Sequence, residues 1–319
     1  RSLYDTSGWK ADLTIFYADS ACTVPGARVE YFNSKDLSGE PAHTSVITRI
    51  DAEYSSSPLP GIVDEDYSDR YTFYYKPASD SYLYLSAGGD DGYRLSINGE
   101  PIIDDWENRA YRSKDIFRRF EAGRIYRFTY EHMDDFSVSR VMFRYPDHMN
   151  DPAFWQALDT ADAVIVCVGF GAVTEHEGGD RTFSLPDGQT DLIEALLRRN
   201  SKVVVVLNAG GGVEMQPWLD RVAAVIQAWY PGQRGGQAVA EIIAGKVCPS
   251  GKLPFTIEKC LEDNPTYGNY HTNVDMSMFN TPYQRVAYNE GIFVGYRGFE
   301  RKGVDPLFEF GYGLSYTTF

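Results

Sequence analysis

The sequence predicts a chain of two architectures, α/β plus all-β. The β part is a sandwich or barrel, and the α/β part a mostly parallel sheet with helices on both faces. Three observations carry this. Aromatic-rich stretches alternate with period two between Ala27 and Tyr145, buried strand patterns alternate with helical stripes from Asp151 onward, and the change of pattern falls near residue 147. A length of 319 residues suits about two domains.

The first half reads as strands at Ala27–Phe32, Asp69–Tyr75, Ser81–Ala87, Tyr93–Ile97, Arg124–Tyr130 and Ser139–Tyr145. Leu83 and Leu85 against Tyr82, Tyr84 and Ser86 show the alternation of a half-buried strand. Turn chemistry separates the strands at Lys76-Pro77, Gly88-Gly89-Asp90-Asp91-Gly92, Asn98-Gly99 and Ala122-Gly123. Asn98-Gly99, ahead of Pro101–Ile103, is a type I′ hairpin signal, because both central residues of that turn need positive φ.

In the second half Ala161–Gly169, apolar from Ala163 onward, reads as a strand of the buried, parallel-sheet kind. Ser184-Leu185-Pro186-Asp187 resembles a capping box, and Leu192, Ile193, Leu196 and Leu197 form a helical stripe ending at Arg198, Arg199 and Asn200. Lys202–Asn208 and Val222–Ala228 are further buried strands. Gly236–Gly245 is a helix with Val239, Ile242 and Ile243 inward. The last 60 residues, rich in Gly, Tyr and Phe, read mainly as ordered loop.

Charge narrows the partners. With 30 Lys+Arg against 45 Asp+Glu the net charge is −15, which argues against nucleic acid and anionic lipid. The longest apolar runs, Ala163–Phe170 and Val203–Leu207, fall far short of the roughly 20 residues of a membrane helix. Cys22, Cys167, Cys248 and Cys260 are too scattered for a disulfide scaffold, although a Cys248–Cys260 bridge stays open and Cys167 reads as a buried thiol. The first residue is Arg1 and no charged-then-apolar leader precedes Leu3, so a signal peptide is expected to be removed or absent from this segment. Periplasmic, secreted and cytoplasmic locations all stay open.

The loop after Ala161–Gly169 is the richest in chemistry. Between Glu175 and Arg181 it carries Glu175, His176, Glu177, Asp180 and Arg181, and loops beyond the carboxyl ends of parallel strands are where open α/β sheets bind ligands. An acid/base carboxylate supported by Asp180 and Arg181 stands here against a merely solvated charged loop. Gly169-x-Gly171 lacks the third glycine of a dinucleotide fingerprint, since Thr174 stands there. Glu175-His176-Glu177 has no second helical His for zinc, and no Gly-x-Ser-x-Gly elbow occurs. Asn208-Ala209-Gly210-Gly211-Gly212 offers an anion cradle or, more simply, a tight turn. Trp229-Tyr230 offers aromatic faces to a sugar or to the core.

Gly169–Gln189 with its EGGDR and LPDGQ runs, Ala228–Gly236 (AWYPGQRGG), Pro249–Thr256 (PSGKLPFT), Glu290–Gly298 (EGIFVGYRG) and Pro306–Phe319 together resemble the second domain of family 3 glycoside hydrolases, the β-glucosidases and their relatives. Gly89–Glu100 and Asp104-Asp105-Trp106 resemble a PA14 domain, which one branch of that family carries inserted in its α/β-sandwich domain. The resemblance implies residues 1–22 as a lead-in to the α/β-sandwich domain, with Ala11–Ala18 as a strand. It implies 23–146 as the PA14-like insertion, and 147–319 as the α/β-sandwich domain proper.

It also implies a mechanism. Retaining glycosidases use two carboxyl groups about 5 Å apart, one a nucleophile and one a general acid/base. In family 3 the acid/base sits in an E-G-x-D-R setting, which Glu177-Gly178-Gly179-Asp180-Arg181 matches without a gap. Glu177 is therefore the expected acid/base, with Glu175 as alternative. A general acid needs a raised pKa, which burial against a sugar and a neighbouring nucleophile would supply. Asp180, Arg181 and His176 are expected to support the loop or the substrate.

The family's nucleophile is an aspartate on a (β/α)8 barrel, in a Ser-Asp-Trp-like motif that does not occur here, so the chain is expected to carry half of the catalytic pair. The expected activity is exo-acting removal of terminal β-D-glucosyl residues without a cofactor. The partners would be a β-linked oligosaccharide or glucoside and a barrel domain, with homo-oligomerisation open. Alternatives are β-xylosidase specificity and a non-catalytic carbohydrate-binding chain. Asp90 and Asp91 match calcium-binding positions of lectin-type relatives, against the plainer role of fixing a turn. Trp106, Tyr111 and Phe136 are candidates to flank the leaving group.

Overall fold

The structure, a computed structural model, describes residues 9–146, 152–171, 174–177, 181–186, 188–269 and 288–317. The chain divides into two compact units, Arg1–Thr160 and Ala161–Phe319.

The first unit is built from β1 (Trp9–Lys10), β2 (Ala27–Phe32), β3 (His43–Ile47), β4 (Asp51–Tyr54), β5 (Ser68–Tyr75), β6 (Ser81–Gly89), β7 (Gly92–Ile97), β8 (Glu100–Asp105), β9 (Arg112–Phe120), β10 (Tyr126–Met133), β11 (Ser139–Pro146) and the helix α1 (Pro152–Thr160). One sheet runs β3-β2-β5-β10-β7-β8, the other β1-β11-β6-β9 with β4 also on β11. Every pairing described in this unit is antiparallel, and neither sheet closes, so of the two expected forms the sandwich is found and not the barrel. Val29, Phe73, Leu95 and Phe128 from one sheet share a core with Leu83, Leu85, Phe120, Val141 and Phe143 from the other.

Phe16 lies at the centre of that core. It is fully buried and meets Phe73, Phe128, Phe143 and Tyr145 at ring-centroid distances of 5.2 to 5.8 Å. The strand expected over Ala11–Ala18 is instead the short β1 followed by isolated bridges at Asp12 and Tyr17, and Leu13 and Phe16 belong to the β core. Trp155 of α1 packs on Tyr82, 4.8 Å between centroids.

Asn98 and Gly99 have φ of 53° and 81° and join β7 to β8, the expected primed turn. Gly88 and Gly89 do not turn. They end β6, where an added Cβ would come within 2.5 Å of the Arg112 carbonyl oxygen or 2.9 Å of the His132 ring. Close strand approach, not a bend, requires glycine there. The pattern missed β9 because its two buried rings face opposite ways, Phe120 into the shared core and Phe117 onto Tyr82 and Trp155, among basic residues paired elsewhere, Arg118 with Glu100 at 2.7 Å and Arg119 with Asp80 at 2.6 Å.

The second unit holds a three-stranded parallel sheet in the order β12 (Val164–Gly169), β13 (Val203–Asn208), β14 (Ala224–Gln227). Its helices are α2 (Gln189–Leu197), α3 (Gly235–Ile243) and α4 (Tyr296–Lys302). α2 buries Leu192, Ile193 and Leu196 of its predicted stripe, together with Ala195, while Leu197 is half-buried. It starts late, after Gly188 at φ 80° rather than from Ser184, and Asp187 lies outside the described residues.

The sheet of this unit is parallel, as expected, while antiparallel pairs dominate the described chain as a whole. Its cover on both faces is corrected. Ile165 is 49% exposed and Cys167 is exposed too, so β12 alternates instead of being buried throughout. Val239, Ile242 and Ile243 of α3 are half-buried, not inward. The four cysteines are free, Cys248 and Cys260 included. Among the described residues no helix is long and apolar enough to cross a membrane.

Candidate active site

The carboxyl ends of β12, β13 and β14 bring three loops to one carboxylate. β12 ends at Gly169, whose φ of 144° and absent Cβ are both required, because a Cβ would stand 1.8 Å from the Asn208 carbonyl oxygen. The buried Gln189 side chain fixes this end. It accepts from the Gly169 N–H at 2.7 Å and donates to the Gly169 carbonyl at 2.9 Å. The backbone then folds back, with the Thr174 and Glu175 N–H groups both donating to the Gly171 carbonyl and the Gly171 N–H donating to Thr174 Oγ1.

Glu175 Oε2 accepts a 2.6 Å hydrogen bond from the Tyr230 hydroxyl, after β14, and a 3.3 Å bond from the Gly210 N–H, after β13. Arg181 Nε lies 3.7 Å from the same oxygen. Arg181 is itself fixed, donating to the Gly212 and Thr182 carbonyls at 2.7 and 3.0 Å and lying over the Phe170 ring at 4.8 Å. The Tyr230 phenol is pushed up to about 12, by burial first and then by its bond to Glu175, so it stays a donor throughout the physiological range.

Glu177 follows two residues later. It is exposed, and among the described residues its carboxylate has no partner, while its carbonyl accepts from His176 Nδ1 at 3.0 Å. Among the described residues the loop thus presents one tied glutamate and one with no partner. Arg181, expected as a supporting residue, is set against Glu175. Asp180 lies outside the described residues.

Sequence reasoning missed the partnership of Tyr230 and Gly210 with Glu175. Gly210 has its own reason to be glycine, because a Cβ would come 2.3 Å from Glu175 Oε1. The run of glycines after a buried strand was the signal, but it does not say what approaches.

In the first unit Asp91 has φ of 65°, is buried, and accepts from the Asp135 and Phe136 N–H groups at 2.7 and 3.3 Å. Asp90 accepts from the Asp91 N–H at 3.1 Å, and its carbonyl is bonded to His132 Nε2 at 3.0 Å. These bonds brace a turn and its neighbouring loop. No cluster of three or more metal-ligating side chains occurs among the described residues. Of the aromatics, Trp106 lies under Arg94 at 4.3 Å and Tyr111 under Arg140 at 4.6 Å, whereas Phe136 is 71% exposed.

The glycosyl hydrolase family 3 C-terminal domain matches residues 20–296. The chain belongs to glycosyl hydrolase family 3. Family 3 relatives include a β-glucosidase of Rhizobium radiobacter, 34% identical over 91% of this chain and 37% of its own length. β-Glucosidase B of Emericella nidulans is 33% identical over 92% of this chain and 38% of its own length. The β-glucosidase of Kluyveromyces marxianus, solved in complex with glucose, superposes with a TM-score of 0.49 at 26% identity, over 96% of this chain and 38% of that one. The family 3 chain thus spans under two fifths of the length of the curated relatives it matches.

Proposed function

We propose that this chain is part of a retaining, exo-acting β-glucosidase in which Glu177 is the general acid/base and the nucleophilic aspartate lies on a barrel domain outside the chain. The observation that carries the reading is the exposed Glu177 carboxylate, without a partner among the described residues, at the carboxyl end of the parallel sheet and two residues beyond a tied glutamate. Family membership and two β-glucosidase relatives matching over nine tenths of the chain support it.

In the first step the Glu177 carboxylic acid gives its proton to the glycosidic oxygen as the barrel aspartate attacks the anomeric carbon. In the second, the Glu177 carboxylate takes a proton from the water that releases the sugar. Residues 147–319 are assigned to the α/β-sandwich domain and 23–146 to a PA14-like insertion that shapes substrate access, with residues 1–22 as a lead-in whose Leu13 and Phe16 pack in the β core. The open antiparallel sandwich of the first unit supports that assignment.

The test is hydrolysis of aryl β-D-glucosides by the chain assembled with the barrel domain. Glu177→Ala lowers the rate on a poor leaving group by about 10²–10⁴-fold, and an activated leaving group or added azide restores much of it. An unchanged rate removes the assignment and moves it to Glu175. Silence of the intact assembly on glucosides and xylosides leaves a carbohydrate-binding chain.

A further inference from the structure

The two glutamates of the loop differ in surroundings more than in sequence position. Glu177 has no partner among the described residues, whereas Glu175 is held at one oxygen by groups 35 and 55 residues away, the Gly210 N–H and the Tyr230 hydroxyl. A proton-transfer group must reach the substrate oxygen. A carboxylate already accepting a 2.6 Å bond from a phenol that does not ionise, and lying beside a fixed guanidinium, is suited to holding instead. Each loop leaving the sheet contributes one group. The loop after β12 gives the carboxylate, that after β13 an N–H, and that after β14 a hydroxyl, so the tie sets the relative positions of all three.

Resting on the reading of Glu177 as acid/base, we propose that Glu175 and Tyr230 are positioning residues. Their hydrogen bond, with the Gly210 N–H, ties the three loops and holds the backbone that presents Glu177. Glu177 lies two residues from Glu175, so release of the tie moves it directly. A displacement of about 1 Å in a reacting group is enough to cost on the order of a hundredfold in rate. Trp229, immediately before Tyr230, has φ of 56°, unusual for a non-glycine residue, and its ring meets Phe255 edge-on at 5.7 Å. The loop that delivers the hydroxyl is therefore itself fixed.

Three changes reach the tie from different sides. Tyr230→Phe removes one oxygen and little else. Gly210→Ala places a Cβ 2.3 Å from Glu175 Oε1, the far end of a side chain that can swing away and so break the tie without disturbing the sheet. Glu175→Ala removes the acceptor, while Glu175→Gln keeps an acceptor oxygen for both donors but cannot transfer a carboxylic proton.

The experiment measures kcat and KM of the assembled enzyme, barrel included, on phenyl and dinitrophenyl β-D-glucosides, with and without azide. Tyr230→Phe, Gly210→Ala and Glu175→Ala lower kcat on the phenyl glucoside by about tenfold to a hundredfold, with KM little changed and a smaller loss on the dinitrophenyl glucoside. Glu175→Gln recovers most of the loss, and azide rescues none of the four while it rescues Glu177→Ala. Full activity of Tyr230→Phe and Gly210→Ala beside an impaired, azide-rescued Glu177→Ala overturns the positioning role and leaves the acid/base reading standing. Equal loss in Glu175→Ala and Glu175→Gln, rescued by azide, with Glu177→Ala unimpaired, overturns both. If Glu175→Ala fails to fold, the two milder variants decide alone.

Discussion

The β unit and the α/β unit solve burial in different ways. In the β unit Phe16, Phe73, Phe128 and Phe143 are all fully buried and pair at 5.0 to 6.5 Å between ring centroids. Two antiparallel sheets pack over them, and the outer face of one carries a second buried aromatic group, Tyr84 and Phe117 with Trp155. The α/β unit buries aliphatics, Val203, Val205, Leu207, Ile193 and Leu196 among them, yet leaves Ile165, Tyr288, Ile292 and Leu314 between 49% and 79% exposed. The residues with chemistry sit on the loops of the second unit, where a parallel sheet directs all its carboxyl ends to one side. The first unit puts its polar residues into bracing turns. Rigid packing and reactive loops are thus separated along the chain.

The largest expected effect on this contrast is Phe73→Ala, which removes a ring from the shared aromatic core. It costs the β unit about 3–5 kcal/mol in denaturant unfolding. A loss below about 1 kcal/mol would mean that the rings are not the unit's main support. Gly169→Ala carries the comparison to the other unit. Its Cβ meets backbone rather than a movable side chain, and its φ is positive, so destabilisation on the order of 1–3 kcal/mol falls on the α/β unit's transition and spares the β unit's.

A third prediction concerns a buried charge in the β unit. Asp134 is fully buried, both of its oxygens lack a partner among the described residues, and burial first of all pushes its carboxyl from 3.8 up to about 6. A folded-state pKa above the unfolded one contributes stability that is full below 3.8 and lost as the pH rises through about 6. Asp134→Asn, neutral at every pH, therefore melts higher than the parent at pH 7, and its advantage shrinks as the pH falls to 4. A pH-independent difference would show that Asp134 has a partner in solution. Neighbouring His132 works in the same direction. Burial pulls its pKa down, the charge and hydrogen bond of Asp69 more than offset that, and its stabilising contribution is lost as the pH rises above 6.5. The smallest effect belongs to Arg221→Ala, which breaks an exposed ion pair with Glu194 and leaves the melting temperature unchanged within error.

Local chemistry made several elements legible from sequence. The Asn98-Gly99 turn follows from the φ values its residues tolerate, β12 and β13 from runs of β-branched residues, and the inward face of α2 from Leu192, Ile193 and Leu196 at helical spacing. The two-part division and the chemistry-bearing loop after β12 were also visible there, the loop because carboxylates, His and Arg crowd one short segment. What lay beyond the sequence depends on distant partners. Gly88 and Gly89 read as a turn but are strand residues pressed against Arg112 and His132. Phe16, in a segment expected to be a strand, is a loop residue at the centre of the sandwich. Whether β12 is buried on both faces depends on what covers Ile165 and Cys167, which no pattern within the strand encodes.

Glu175 and Glu177 are the same residue type two positions apart, so composition and spacing cannot separate them. Their environments differ only because three loop ends converge, bringing Gly210 and Tyr230 to one glutamate and not the other. Backbone preferences and hydrophobic periodicity act over a few residues and so can be read along the chain. Hydrogen bonds between loops form only after the sheet has set the loop ends side by side, and that placement belongs to the tertiary structure.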